Sequence, residues 1–201
     1  MKKQLILYWL FCSLCVVYGS NFYYQTVGPL QGLSQPSAVA IWQDRLGRMW
    51  FGNDALNCFD GERTRVYRIS EQLEGVEDSN IHAICGNDTV LYCLAEDQVV
   101  RLDLLTERLS LPGIRTQAIC STKEGLYYMN DGVLHLYREA EHRSQVVFPL
   151  ASYPLATRSI LSVSPTRLLV GTASGVYTLD LRQKAIVLEE LRQIVIAHFQ
   201  A

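Results

Sequence analysis

Histidine is the natural place to begin looking for catalysis or metal binding in this sequence. There are four: His82, His135, His142 and His198. None forms a pair at ligand spacing, and no H-E-x-x-H is present, so a metal centre is not expected. His82 and His135 fall on predicted strands of different repeat units and could approach a shared axis, which makes them candidate ligand contacts. The bland alternative is a polar strand position near the surface. Ser-His-Asp chemistry has no local mark, because no G-x-S-x-G elbow occurs. Thr172-Ala173-Ser174-Gly175 reads as a turn. Phosphate-binding glycine motifs are absent, so no nucleotide cofactor is implied. Asn87-Asp88-Thr89 matches a glycosylation triplet but sits in a turn and is assigned no function. Among the carboxylates, Asp60, Asp103 and Asp180 recur at one place, the end of a third strand, and that repetition argues for turn capping over acid catalysis. Two tryptophans remain. Exposed indoles stack on sugar rings, which makes Trp42 a candidate ligand contact, whereas Trp50 shares a column with Tyr92, Tyr127 and Leu169 and reads as core. The candidate site is therefore Trp42, His82 and His135, with no catalytic residue, metal or cofactor expected.

The rest of the chain must position these residues. Its 201 residues suffice for a sizeable core, with 49% hydrophobic and 19% charged residues. The formal charge of −2 provides no basic face for nucleic acid or an anionic membrane. Lys2 and Lys3 precede an uncharged apolar run from Leu5 to Tyr18. That run is shorter than the roughly 20 residues of a spanning helix. With Val17 and Gly19 at the small-residue positions, it reads as a signal peptide cut between Gly19 and Ser20. An uncleaved anchor is the lesser reading. Export to the periplasm without later membrane insertion is expected. Cys58, Cys85, Cys93 and Cys120 would remain, and an even count in an oxidising compartment permits disulfides. Cys85 and Cys120 each follow Ala-Ile, and such repeat-equivalent cysteines are more often small core residues than bridge partners.

Internal repetition is the main signal. Four segments align, starting at Ser37, Asn80, Arg115 and Ser159. A first column holds Ile41, Ile84, Ile119 and Val163, with spacings of 43, 35 and 44 residues. A second holds Trp50, Tyr92, Tyr127 and Leu169, and a third Phe59, Leu102, Leu136 and Leu179. Each unit reads as four short β-rich runs separated by turns. In the first, Asp44 to Gly47 forms one turn and Asp60-Gly61 another. Four strands in roughly 40 residues is the pattern of a propeller blade. The expected fold is all-β: a partial β-propeller of four-stranded antiparallel blades, about four of them plus the first strand of a fifth. The expected boundaries are a signal peptide at 1–19, an N-terminal strand and lead-in at 20–36, and blades at 37–72, 79–111, 114–149 and 158–190. A fifth would begin at 193–201. Phe22 to Val27 reads as an extra strand.

The first unit is the most specific. Gly32-Leu33-Ser34-Gln35, Gln43-Asp44, Gly47-Arg48-Met49-Trp50-Phe51-Gly52, Leu56-Asn57 and Phe59-Asp60-Gly61 resemble the two-component regulator propeller repeat. It departs at Ala55, where the family has glycine, and its 53–55 loop is one residue short. The resemblance covers most of residues 30–201. It implies the periplasmic sensor region of a hybrid two-component histidine kinase and response regulator, acting in a phosphorelay and sensing carbohydrate. It also implies truncation before the membrane helix and kinase, with any kinase activity in those missing parts. An oligosaccharide or other small ligand is the implied partner, and a second propeller or partner chain could complete the ring. Two rival readings stand beside it: a periplasmic propeller lyase or glycosidase, and a structural interaction module.

Overall fold

The computed structural model describes residues 26–77, 80–149 and 157–189. The expected signal peptide with its Gly19–Ser20 cleavage point, and the start of a fifth unit at 193–201, lie outside them, as does most of the strand expected over Phe22–Val27. The described chain forms sixteen strands in four separate sheets, each a four-stranded antiparallel meander in sequence order. The first comprises β1 (Ala40–Gln43), β2 (Met49–Gly52), β3 (Leu56–Phe59) and β4 (Thr64–Tyr67). The second comprises β5 (Ile81–Gly86), β6 (Val90–Ala95), β7 (Gln98–Asp103) and β8 (Leu109–Ser110). β9 (Ile119–Thr122), β10 (Gly125–Asn130), β11 (Val133–Arg138) and β12 (Arg143–Pro149) form the third. The fourth holds β13 (Thr157–Ser164), β14 (Arg167–Thr172), β15 (Gly175–Asp180) and β16 (Ala185–Glu189). The first strands neighbour one another in series, β1 beside β5, β5 beside β9 and β9 beside β13. They form the inner edge of a partial propeller, and the expected all-β fold of four-stranded blades is what the chain adopts.

Three apolar cores sit between successive blades. Trp50, Leu56 and Cys58 of the first meet Leu91, Cys93 and Leu102 of the second. Tyr92, Leu94 and Val99 then meet Ile119, Leu126 and Tyr128 of the third. Tyr127, Met129 and Leu136 meet Ile160, Leu168 and Leu179 of the fourth. Alternate residues of β6 thus serve opposite cores, which is why every residue of that strand is buried. Each fully buried leucine contributes about 1.5–3 kcal/mol. Inner strands also approach closely. At Gly52 a Cβ would come 2.6 Å from Cγ2 of Ile81, so the end of β2 has no room for a side chain against the start of β5.

Cross-strand pairing fixes the repeat register and corrects two columns. The second column stands: Trp50, Tyr92, Tyr127 and Leu169 occupy equivalent places. In the third, Phe59 pairs with Met49, Leu102 with Leu91 and Leu179 with Leu168, but the residue opposite Leu126 is Tyr137, not Leu136. Both faces of the third blade are apolar, so a one-residue slip exchanges Leu for Tyr without disturbing the hydropathy pattern. In the first, Ile41 pairs with Phe51, Ile84 with Cys93 and Ile119 with Tyr128, and the fourth member is Ile160, opposite Val170, not Val163. Two register shifts in β13 displaced the apparent alignment.

All four described cysteines are free thiols. Burial pushes Cys58 up to about 11 and Cys93 up to about 12, so both are protonated at neutral pH. Replacing Leu102, which is fully buried, by Ala should cost about 2–5 kcal/mol in urea unfolding. Leu105 is 90% exposed, and its alanine variant should stay within about 0.5 kcal/mol of the parent. Equal effects would mean that the interblade core does not dominate stability.

Candidate functional site

In a meander whose first strand is innermost, the end face carries the hairpins between second and third strands and the links between blades. The same end of each inner strand holds a row of equivalent residues. Val39, His82, Gln117 and Arg158 directly precede Ala40, Ala83, Ala118 and Ser159, and all four are exposed. Bulges in β5 and β13 leave His82 and Arg158 out of the ladder. An imidazole, an amide and a guanidinium therefore stand at the same end of successive inner strands. Beside Gln117 lies a polar hollow of about 260 Å³, where β9 meets the β10–β11 hairpin, lined by Thr116, Asn130, Asp131 and Thr157. Asp131 and Gly132 both have positive φ, as a two-residue primed turn requires.

His82 belongs to this inner row. His135 does not: it lies on β11, the third strand of its blade, stacked on Tyr128 with ring centroids 5.0 Å apart. Partial burial lowers its pKa below the usual histidine range and favours the neutral ring. Among the described residues no contact joins the two histidines. Trp42 is half-buried on β1 and borders the first core. Its ring lies over Gly86 of β5, where an added Cβ would come 2.9 Å from the indole. Trp42 is thereby engaged in packing against the second blade.

The carboxylates that might suggest acid catalysis are structural. Asp60 Oδ1 accepts the backbone N–H groups of Glu62 and Arg63. Asp103 Oδ1 does the same for Leu105 and Thr106, and Asp180 Oδ1 for Arg182 and Gln183. Three units thus share one turn-capping device. Asp44 is more deeply engaged. Its Oδ1 accepts the backbone N–H groups of Leu46 and Arg48, each at 2.9 Å. Its Oδ2 accepts Arg48 Nε at 2.6 Å and Trp50 Nε1 at 3.0 Å. A second knot ties the lead-in to the first blade: Asn57 Oδ1 accepts the Ser34 N–H at 3.0 Å, and Asn57 Nδ2 donates to the Ala55 carbonyl at 3.0 Å. This knot accommodates Ala55 in the shortened loop, with the Ala55 N–H held by Asn53 Oδ1 at 3.1 Å.

Sequence reasoning missed one cluster. Glu139, just after β11, accepts hydrogen bonds from the Tyr92 hydroxyl and from Arg101 Nε of the preceding blade. No motif marks it, because its members are far apart in the chain and meet only when blades stack. Among the described residues no group of three or more His, Cys, Asp or Glu could hold a metal ion, and no helix is long and apolar enough to cross a membrane.

No family model matches the sequence. A 50-residue stretch, 24% of the chain, is 46% identical to a protein named histidine kinase P4 from Formosa agariphila and spans 4% of it. Among solved structures, the chain resembles the extracellular domain of a protein described as a hybrid two-component system from B. thetaiotaomicron, with a TM-score of 0.64 and 20% identity. That match covers 83% of this chain and 26% of the other. It also resembles PorZ of Porphyromonas gingivalis, a surface component of the type-IX secretion system, with a TM-score of 0.63 and 14% identity over 81% of this chain and 23% of that one. The chain therefore spans about a quarter of these solved proteins and shares their fold.

Burial alone would raise the Asp44 pKa, but the hydrogen bonds from Trp50 and Arg48 outweigh it and hold the carboxyl below its ordinary value. Its contribution to stability is thus present above the unfolded carboxylate pKa of about 4 and lost as pH falls through the lower folded value. Asp44→Asn should cost about 1–3 kcal/mol at neutral pH and flatten the acid limb of a stability-versus-pH curve. An unchanged acid limb in the variant would refute this role.

Proposed function

We propose that this chain is part of the ligand-sensing region of an extracytoplasmic two-component receptor, and that its ligand is a carbohydrate. One observation supports the reading above the others: a 46% identical stretch shared with a histidine kinase, in a chain whose fold is that of a two-component extracellular domain. The exposed inner row of His82, Gln117 and Arg158, next to a polar hollow, supplies hydrogen-bonding groups suited to hydroxyl-rich ligands. Within an intact receptor, ligand binding would shift the balance between two arrangements of the sensor and so bias a phosphorelay carried by other domains. Partners would cover the outer faces of the described stack, where Ile41 of the first blade is 59% exposed and Val187 of the fourth 56% exposed. A second propeller or another chain would fill that role.

Two measurements test this. The exported form, sequenced from its N-terminus, should begin at Ser20. A panel of oligosaccharides should include at least one that raises the melting temperature saturably. His82→Ala should then weaken that ligand by about tenfold without lowering the melting temperature of the free protein. A panel without any saturable shift would remove the carbohydrate assignment, and retention of Met1 to Gly19 would remove the cleavage assignment.

A further inference from the structure

On the end opposite the inner-row hollow, the three grooves between blades carry different polar contacts. In the first groove Arg65 of β4 pairs with Glu107, from the turn after β7. In the second, Glu139 follows β11 and binds both Arg101 and the Tyr92 hydroxyl of the preceding blade. Each time, an acid from the turn after a blade's third strand neutralises an arginine of the blade before it. The third groove lacks both halves of the second groove's pair, since Leu136 stands where Arg101 stands, and at the Glu139 position the first groove too has a leucine, Leu104. Tyr127 stands where Tyr92 stands, but the place of Glu139 is taken by Leu181, and the turn reads Leu181-Arg182-Gln183-Lys184. Arg138 also occupies the position that is Asp60, Asp103 or Asp180 in the other blades.

Where the acid would sit there is a cavity of about 360 Å³, lined chiefly by Tyr127, Leu136, Arg138, Val147, Leu181 and Arg182. Among the described residues neither the Arg138 nor the Arg182 guanidinium has an ionic or hydrogen-bond partner. The one acid on the rim, Glu124, is exposed and accepts the Tyr127 hydroxyl at 3.1 Å. Two cations against one anion leave the groove net positive. Its leucine and valine floor limits how far water can screen that charge. The volume is too large for a bare ion and falls among small-molecule pockets of about 300–1,000 Å³.

We infer that the groove between the third and fourth blades binds a carboxylate-bearing small molecule, whose carboxylate takes the place that Glu139 holds in the groove before it. Arg138 and Arg182 supply charge-assisted hydrogen bonds to that carboxylate, and the apolar floor receives the body of the ligand. This goes beyond the sensing reading, which assigns nothing to this groove, and does not depend on it.

The test uses the full chain labelled with ¹⁵N and titrated with D-galacturonate, acetate and D-galactose. Saturable binding of either acid is expected, with shifts at Tyr127, Arg138 and Leu181 to Gln183; the acetate arm separates a bare carboxylate from one carried on a ring. Arg138→Gln and Arg182→Gln should each weaken the acid by about tenfold while leaving the melting temperature of the free protein unchanged, because neither guanidinium has a protein partner to lose. Glu124→Gln should tighten it by removing the like charge. Galactose binding as well as galacturonate, neither acid binding, or full affinity in both arginine variants would each overturn the proposal. Sugar-induced shifts confined to the inner row would overturn it too, while leaving the carbohydrate reading intact.

Discussion

Every blade in this chain is a sheet with two apolar faces, and neither face is stable in water alone. That constraint organises the rest. A strand such as Val90–Ala95, buried along its whole length, can exist only between two neighbours, and Tyr92 and Cys93 serve different cores although they are adjacent in sequence. Stability is therefore a chain of nearest-neighbour interfaces, as in other repeat proteins. The inner strands must also approach closely enough to seal each core, which accounts for Gly52 against Ile81 and Gly86 under Trp42.

Polar groups in such a structure either close turns or join blades. Asp60, Asp103 and Asp180 close turns with backbone partners two and three residues away. Asp44 does the same and adds the Trp50 indole, so it anchors a turn to a core aromatic. Glu107 and Glu139 join blades. These groups hold apolar stacks in register, since dispersion and burial alone tolerate sliding. Beside Leu181, where neither acid has a counterpart, a cavity remains with two guanidinium groups and one rim carboxylate, Glu124.

The candidate ligand surfaces follow the same geometry. Within the inner row, a bulge in β5 and another in β13 turn His82 and Arg158 out of the ladder. His135, two strands further out, is committed to Tyr128. Trp42, whose type suits sugar stacking, is committed to the neighbouring blade.

The sequence by itself determined the architecture: four units, four strands each, the second column, buried in all but its last member Leu169, and the capping aspartates. All of these are written in local periodicity and turn chemistry, which act over a few residues and leave a visible pattern. It misplaced Leu136 and Val163, because a strand buried on both faces looks the same after a slip of register and a bulge leaves no mark in hydropathy. The histidines were visible by type, but only the fold separated exposed His82 from stacked His135. The pairing of Tyr92 and Arg101 with Glu139, and the lack of its counterpart in the next groove, were decided by tertiary structure alone. Those residues lie dozens of positions apart, and only the stacking of one blade on the next brings them within reach of one another.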